Sequence, residues 1–504
     1  MKTRTVGLAA IVGFAAGCWR YAPDHCASQV GDASCGDGMF CSVCEAYDNG
    51  CVPELPSPTC HVPAPDSDGS SSSTIGSTGE GAEGPATSSS TSAPGTGSTA
   101  ADGSTGGGCF SDDECSEPSA PFCGSEGACI SCAEMSEPDA ACAGLGQGTP
   151  ICSRGICVEC ASEVAEACVG QTPICTDDGA CRACVEHDEC PSGACHLDGA
   201  SVGACFDMAE VVPVGSTAEL SAAVGGLEGR DRAVLVLEPG FYPTTIDLGD
   251  STEVAIIGSS VNPPILAGDG ARVVEVFGNA IVYLSHVEVS NSNVAGNGLE
   301  CSGQSAWVDD SRLDDNRFGA SVSNGCFTHL RRTFVTSNSA GGIQCSGGEL
   351  SLRNSAVGLN GNGFSSDVGG LRLDNATVDI VYSVIVANQS LMPSEASVAC
   401  LGGELGEIRN SIIVGGGDGI DDCAGITFAN NAVDDSGIDG SNVDVGSVVP
   451  NWFTGLATSD FHLAPAGAML FAEIAQWQEG DPSTDVDGDP VPSETPSYPG
   501  YDQP

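Results

Sequence analysis

Short apolar runs recur at a fixed interval along the second half of the chain. An apolar residue, two further residues and then a hydroxyl appear as Val308 with Ser311, Leu330 with Thr333, Leu352 with Ser355, Ile380 with Ser383 and Ile408 with Ser411. Five residues beyond the first four hydroxyls stand Asn316, Asn338, Asn360 and Asn388, at intervals of 22, 22 and 28. A 22-residue period suits one coil of three short strands, which buries its inward side chains only by stacking on the coils beside it. Asparagine tolerates left-handed backbone and bonds locally, so its recurrence predicts a ladder of stacked turns. The pattern therefore predicts a mainly β chain in which residues 206–480 form a right-handed parallel β-helix. At its start, a Ser/Thr cap followed by helix formers over 215–225 predicts a short helix covering the first coil. Ala233–Leu237 and Val254–Gly258 read as its opening strands.

The first half follows different rules. Lys2 and Arg4 precede an apolar stretch from Val6 to Ala16, too short to span a bilayer and typical of a signal peptide. It ends in Ala15-Ala16-Gly17-Cys18, which resembles the lipobox of bacterial lipoproteins. That resemblance implies a signal peptide over 1–17 and lipidation of Cys18. Residues 18–61 form a small cysteine-rich segment. Residues 62–108 collapse to Ser, Thr, Gly, Pro and Ala, and nothing there can bury a core, so they read as a flexible tether. Residues 109–205 repeat the pattern Pro-apolar-Cys, a Gly-containing turn and Cys-x-x-Cys, as at Pro121–Cys132, Pro150–Cys160 and Pro173–Cys184.

The chain carries 28 cysteines. With Cys18 set aside, six fall in 26–60, sixteen in 109–205 and five in 301–423. Paired Cys-x-x-Cys units could hold zinc, but an exported chain with even counts points to disulfides. The odd set predicts a free thiol. Cys400 and Cys423 lie 23 residues apart, about one coil, and are expected to bridge. Cys326 could bond either Cys301 or Cys345.

Charge excludes one class of partner. With 68 Asp and Glu against 15 Lys and Arg, the net charge is −53, and Lys2 is the only lysine. Nucleic-acid binding needs clustered cations that such a surface lacks, so no nucleic acid is expected. Acidic glycans would also be repelled unless a divalent cation bridged them.

The opening of the coil region, with its apolar strand, Pro239-Gly240-Phe241-Tyr242 turn and Ile256-Ile257-Gly258 strand, resembles that of the pectin-lyase-like superfamily. Ser459-Asp460-Phe461-His462-Leu463 is similar to the closing strand of many bacterial β-helix proteins. Asp485-Val486-Asp487-Gly488-Asp489-Pro490 is similar to the segment that often follows, and 481–504 reads as a cap or tail. An EF-hand reading of this last run fails, because Pro490 stands where the loop requires Gly.

Stacking the coils about 4.8 Å apart places Asp309 beside Arg331 and Arg331 beside Arg353, while Asp310 faces Arg332. Asp314 and Asp315 lie on the same coil as the first pair. In β-helix polysaccharide lyases, carboxylates bind calcium and an arginine abstracts a proton, so the resemblance makes Asp309, Asp310, Asp314, Asp315, Arg331 and Arg332 the candidate catalytic set. No cofactor is expected, calcium being the one ion the acidic segments could take. A salt-bridge ladder explains the same residues. Sugar binding would need aromatic platforms, for which Trp307, Phe327 and Phe334 are among the candidates.

Two functional readings follow. The first is a surface lipoprotein, held at the outer membrane by its lipid, whose β-helix binds a glycan or protein without catalysis. The alternative is a polysaccharide lyase or hydrolase working through the Asp/Arg cluster. A catalytic site would show converging carboxylates in an open groove, and a ladder would show them paired.

Overall fold

The computed structural model describes residues 40–41 and 51–52 and most of 109–504. Within the latter, 110, 146–147, 162–166, 228–230, 250–251, 269, 292–295, 362–368, 391–396, 416–418, 436, 439, 449 and 494–495 fall outside the description. The signal peptide, Cys18 and the 62–108 tether lie outside the described residues. Of the first cysteine-rich segment, Phe40–Cys41 and Cys51–Val52 form an antiparallel pair.

Residues from Val211 to Asp444 wind into a right-handed parallel β-helix. An antiparallel pair, Phe453–Gly455 with Asp460–Leu463, and a helix, Pro465–Phe471, follow it. Two ten-stranded sheets and one eight-stranded sheet run its length, each strand pairing in parallel with its equivalent on the next coil. The first sheet includes Ile281–Ser285, Ser305–Asp309, Phe327–Arg331, Glu349–Arg353 and Thr377–Val381. The second has three-residue strands such as Arg312–Asp314 and Phe334–Thr336. The third includes Phe318–Ser323 and Gly341–Ser346. One cluster of buried residues fills the interior, and the repeating Val308, Leu330, Leu352, Ile380 and Ile408 stack within it. The predicted helix spans Thr217–Gly225, with the Ser216 hydroxyl accepting from Glu219 N–H as its cap.

The two sequence ladders are hydrogen-bonded columns. Asn338 Oδ1 accepts from Asn316 N–H, Asn360 Oδ1 from Asn338 N–H and Asn388 Oδ1 from Asn360 N–H. The hydroxyls do the same at another corner, where Ser355 Oγ accepts from Thr333 N–H and Ser411 Oγ from Ser383 N–H. These side chains are buried, so each turn that interrupts the sheets has its backbone donors satisfied away from water. Asp310, Arg332 and Asn354 precede the hydroxyls with φ of 50°, 49° and 48°. That left-handed conformation turns the chain from the first sheet into the second.

The sixteen cysteines of 109–205 close into eight disulfides: 109–123, 115–129, 132–152, 142–157, 160–175, 168–181, 184–195 and 190–205. Taken in fours, the first always bonds the third and the second the fourth. There are thus four crossed modules where the sequence repeat shows three. Each Cys-x-x-Cys straddles a joint, as Cys129 belongs to one module and Cys132 to the next. Cys301 bonds Cys326 and Cys400 bonds Cys423. Among the described residues Cys345 keeps a free, buried thiol, which burial pushes up to about 11.

Candidate functional site

Register places three outward-facing columns on the first sheet. One carries Tyr283, Trp307, His329, Ser351 and Asp379 on successive coils. Its neighbours carry Ser305, Phe327, Glu349 and Thr377 on one side, and Asp309, Arg331 and Arg353 on the other. Different parts of the chain cover different stretches of this face.

The last disulfide module covers the early coils. Ala194 and Phe206 pack on Val234, Ala255, Ile281 and Tyr283. Beneath them, Glu253 accepts from the Tyr283 hydroxyl at 2.9 Å, meets His196 Nδ1 at 2.5 Å and pairs with Arg232 at 3.1 Å. Burial opposes the charge on Glu253, but these partners together hold its carboxyl below the ordinary range.

The candidate cluster stands at the edge of this contact. Arg331 grips Asp309 with two nitrogens at 3.3 and 2.7 Å, and Arg332 grips Asp310 at 2.7 and 2.8 Å. Glu186, from the disulfide module, reaches both arginines at 2.8 and 2.9 Å. Asp309 is 1% exposed. Burial works against its charge, yet Arg331 outweighs that and keeps the carboxyl low. Arg332 is likewise pushed up: its bonds to Asp310 and Glu186 overcome the opposing effect of burial. His187 lies close by with Nδ1 accepting from Cys195 N–H, so its Nε2 carries the proton and points toward Asp309 at 3.8 Å.

Asp314 and Asp315 are not part of this group. They lie beyond the corner, Asp314 on a second-sheet strand where it accepts from Thr336 Oγ1 at 2.5 Å and sits 3.8 Å from Arg312. Asp315 holds φ at 54° in the following turn. Coil proximity in sequence grouped these four carboxylates, but a corner separates them.

The carboxylates do not fit a calcium centre, since guanidinium groups face both Asp309 and Asp310. Asp485 is also satisfied: its oxygens accept from the N–H groups of Asp487, Asp489 and Gln503. His462, Asp487 and Asp502 bring three potential ligand atoms within 4.8 Å of one another. There the imidazole sits between Asp460 at 2.6 Å and Asp487 at 3.0 Å. Burial disfavours its charge, but these acids and Asp502 outweigh it and raise its pKa.

Beyond the clamp the outer face opens into a groove of about 420 Å³, with Trp307, Phe327, His329, Ser351, Arg353 and Asp379 among its walls. Trp307 lies 4.5 Å from the His329 ring and 5.5 Å from Phe327, centroid to centroid. His329 is a buried strand residue here, not the turn or surface residue that its type suggests, and burial lowers its pKa to about 4. Three polar atoms of this wall, Trp307 Nε1, His329 Nδ1 and Ser351 Oγ, are shielded from solvent and lack a hydrogen-bond partner. Phe334, another aromatic candidate, is occupied by Phe461 and Tyr501 of the C-terminal segment. Sequence reasoning did not place His329 and Ser351 in the site, although they stand one and two 22-residue periods beyond Trp307. It had no signal for Glu186, which lies 145 residues from Arg331.

A model of a family of unknown function, DUF8331, matches residues 96–211, which include the disulfide modules. No curated protein matches the chain. Among solved structures, pectate lyase Pel9A matches with 16% identity and a TM-score of 0.31, covering 54% of this chain and 83% of its own. The pectin methylesterase from Aspergillus niger matches with 12% identity and a TM-score of 0.26, covering 48% and 93%. Likeness at this level says nothing of activity.

Proposed function

We propose that this is an exported, lipid-anchored surface protein whose β-helix binds a carbohydrate in the Trp307–His329–Ser351 groove without chemical conversion. In this reading Cys18 carries the lipid at the outer membrane, and residues 62–108 hold the folded part away from the bilayer. The Asp309, Asp310, Arg331 and Arg332 set acts as a clamp for the disulfide module. One observation carries the reading: aromatic rings line one open groove with unpartnered polar atoms set within its wall, while the charged residues of the clamp beside it are paired. An aromatic face offers apolar contact with a polar edge, and a concave site with a few polar groups is the usual form of a ligand pocket.

The experiment is a binding screen of the full chain against immobilised glycans, run beside assays for reducing ends and unsaturated products. Binding without product, lost in Trp307→Ala, supports the reading. Product formation abolished by Asp310→Ala or Arg332→Ala would replace it with the lyase or hydrolase alternative.

A further inference from the structure

We propose that the groove selects a neutral oligosaccharide over a uronate chain; this rests on the carbohydrate reading above. The groove contains two arginines, the usual bidentate partners of a sugar carboxylate, and both are engaged. Arg331 holds Asp309 through Nε and Nη2, and its Nη1 donates to Glu186 and to the Val185 carbonyl. Arg353 donates to Asp379 at 2.7 Å and to the Gly480 carbonyl at 2.7 Å.

Glu349 and Asp379 also line the groove, so its two positive charges are matched by two negative ones. A uronate that displaced Asp379 from Arg353 would lie against the freed Asp379 and against Glu349 in the same groove, inside the field of a chain carrying −53. A neutral sugar meets no such penalty.

What the groove offers instead is uncharged. The Trp307 and Phe327 rings present apolar area to the C–H faces of a pyranose. Ser351 and His329 are 4% and 8% exposed, and each has a polar atom without a partner. Leaving a buried polar atom unpaired costs on the order of 1–3 kcal/mol. A sugar hydroxyl, which can both donate and accept, would supply the missing partner once the Ser351 hydroxyl or the His329 ring turned toward the groove. From Trp307 to Asp379 the face spans three coil spacings, about 14 Å, which suits an oligosaccharide rather than a single ring.

The test is titration calorimetry of the full chain with cellohexaose, mannohexaose, xylohexaose and hexagalacturonate, the last with and without calcium. Saturable binding of at least one neutral hexamer and none of hexagalacturonate is expected, with at least a tenfold loss in Trp307→Ala. Ser351→Ala, a smaller change, should weaken binding severalfold while leaving the melting curve in place. The double variant Glu349→Gln with Asp379→Asn, which frees Arg353, should gain hexagalacturonate binding; no gain would overturn the charge argument. Binding of hexagalacturonate alone, lost in Trp307→Ala, would overturn neutral selection and leave the groove as a carbohydrate site. No binding of any hexamer would overturn both.

Discussion

The disulfide modules and the β-helix solve the same problem in opposite ways. Residues 109–205 are too poor in large apolar side chains to build a core, and eight bridges hold them. The β-helix has only two bridges among its described residues, Cys301–Cys326 and Cys400–Cys423. Its order comes from stacked apolar columns and from the asparagine and hydroxyl ladders. Cross-linking constrains the unfolded chain, whereas stacking rewards the folded one. Where the two meet, neither device is used: Glu186 crosses to Arg331 and Arg332, and Phe206 packs on Tyr283.

Reduction should separate the two regions most sharply. At roughly 2–4 kcal/mol per bridge, losing eight exceeds the stability of a small domain. After reduction, limited proteolysis should degrade 109–205 and leave a protected β-helix fragment with its β circular dichroism. Loss of both together would show that the coils depend on the docked module.

The converse substitution is Leu330→Ala, in the middle of an inward column. It should lower β-helix stability by about 2–5 kcal/mol, read by urea denaturation, with the module disulfides still intact by mass mapping. A cost under about 1 kcal/mol would sink the view that stacking carries this region.

Acid should act chiefly at the seam and the groove. Burial lowers His329 to about 4, and burial also lowers His187, with Asp309 opposing it. Both rings are held neutral in the fold and gain a proton more readily when unfolded. Their contribution is therefore complete above about 6.5 and lost as pH falls below it, down to about 4 for His329. For His329 this is on the order of 3 kcal/mol, measurable as a falling denaturation midpoint. In His329→Gln that part of the slope should disappear.

Glu186→Ala removes the bridge between regions without touching either core. A loss of about 1–3 kcal/mol is expected, with faster protease cleavage near the module–helix junction. Unchanged cleavage would mean that the Phe206 contact alone docks the module. The smallest effect concerns Cys345, whose buried thiol should resist alkylation until denaturant is added. Rapid labelling of the native protein would show that this part of the coil stack opens.

The ladders were legible because their residues recur: Ser311, Thr333 and Ser355 mark one corner and Asn316, Asn338 and Asn360 another. The pairing of Asp309 with Arg331 was legible for the same reason. Grouping Asp314 and Asp315 with them failed because nearness along a coil ignores the corner between two sheets. The fourth disulfide module was hidden, since Cys184–Cys205 lacks the Pro-apolar-Cys signature of the other three. His329 and Ser351 looked unremarkable until their column placed them beside Trp307.

By itself, the sequence determined the repeating coil, its inward columns, its turn ladders and the odd thiol, all of which follow from periodicity and residue chemistry within one or two coils. Only the tertiary structure decided which part of the outer face is covered and which stays open. That choice depends on Glu186 docking on Arg331 from 145 residues away, on Phe206 packing against Tyr283 several coils further along the chain, and on the C-terminal segment closing over Phe334. A periodic pattern fixes neighbours one coil apart, but it carries no information about a contact that occurs once.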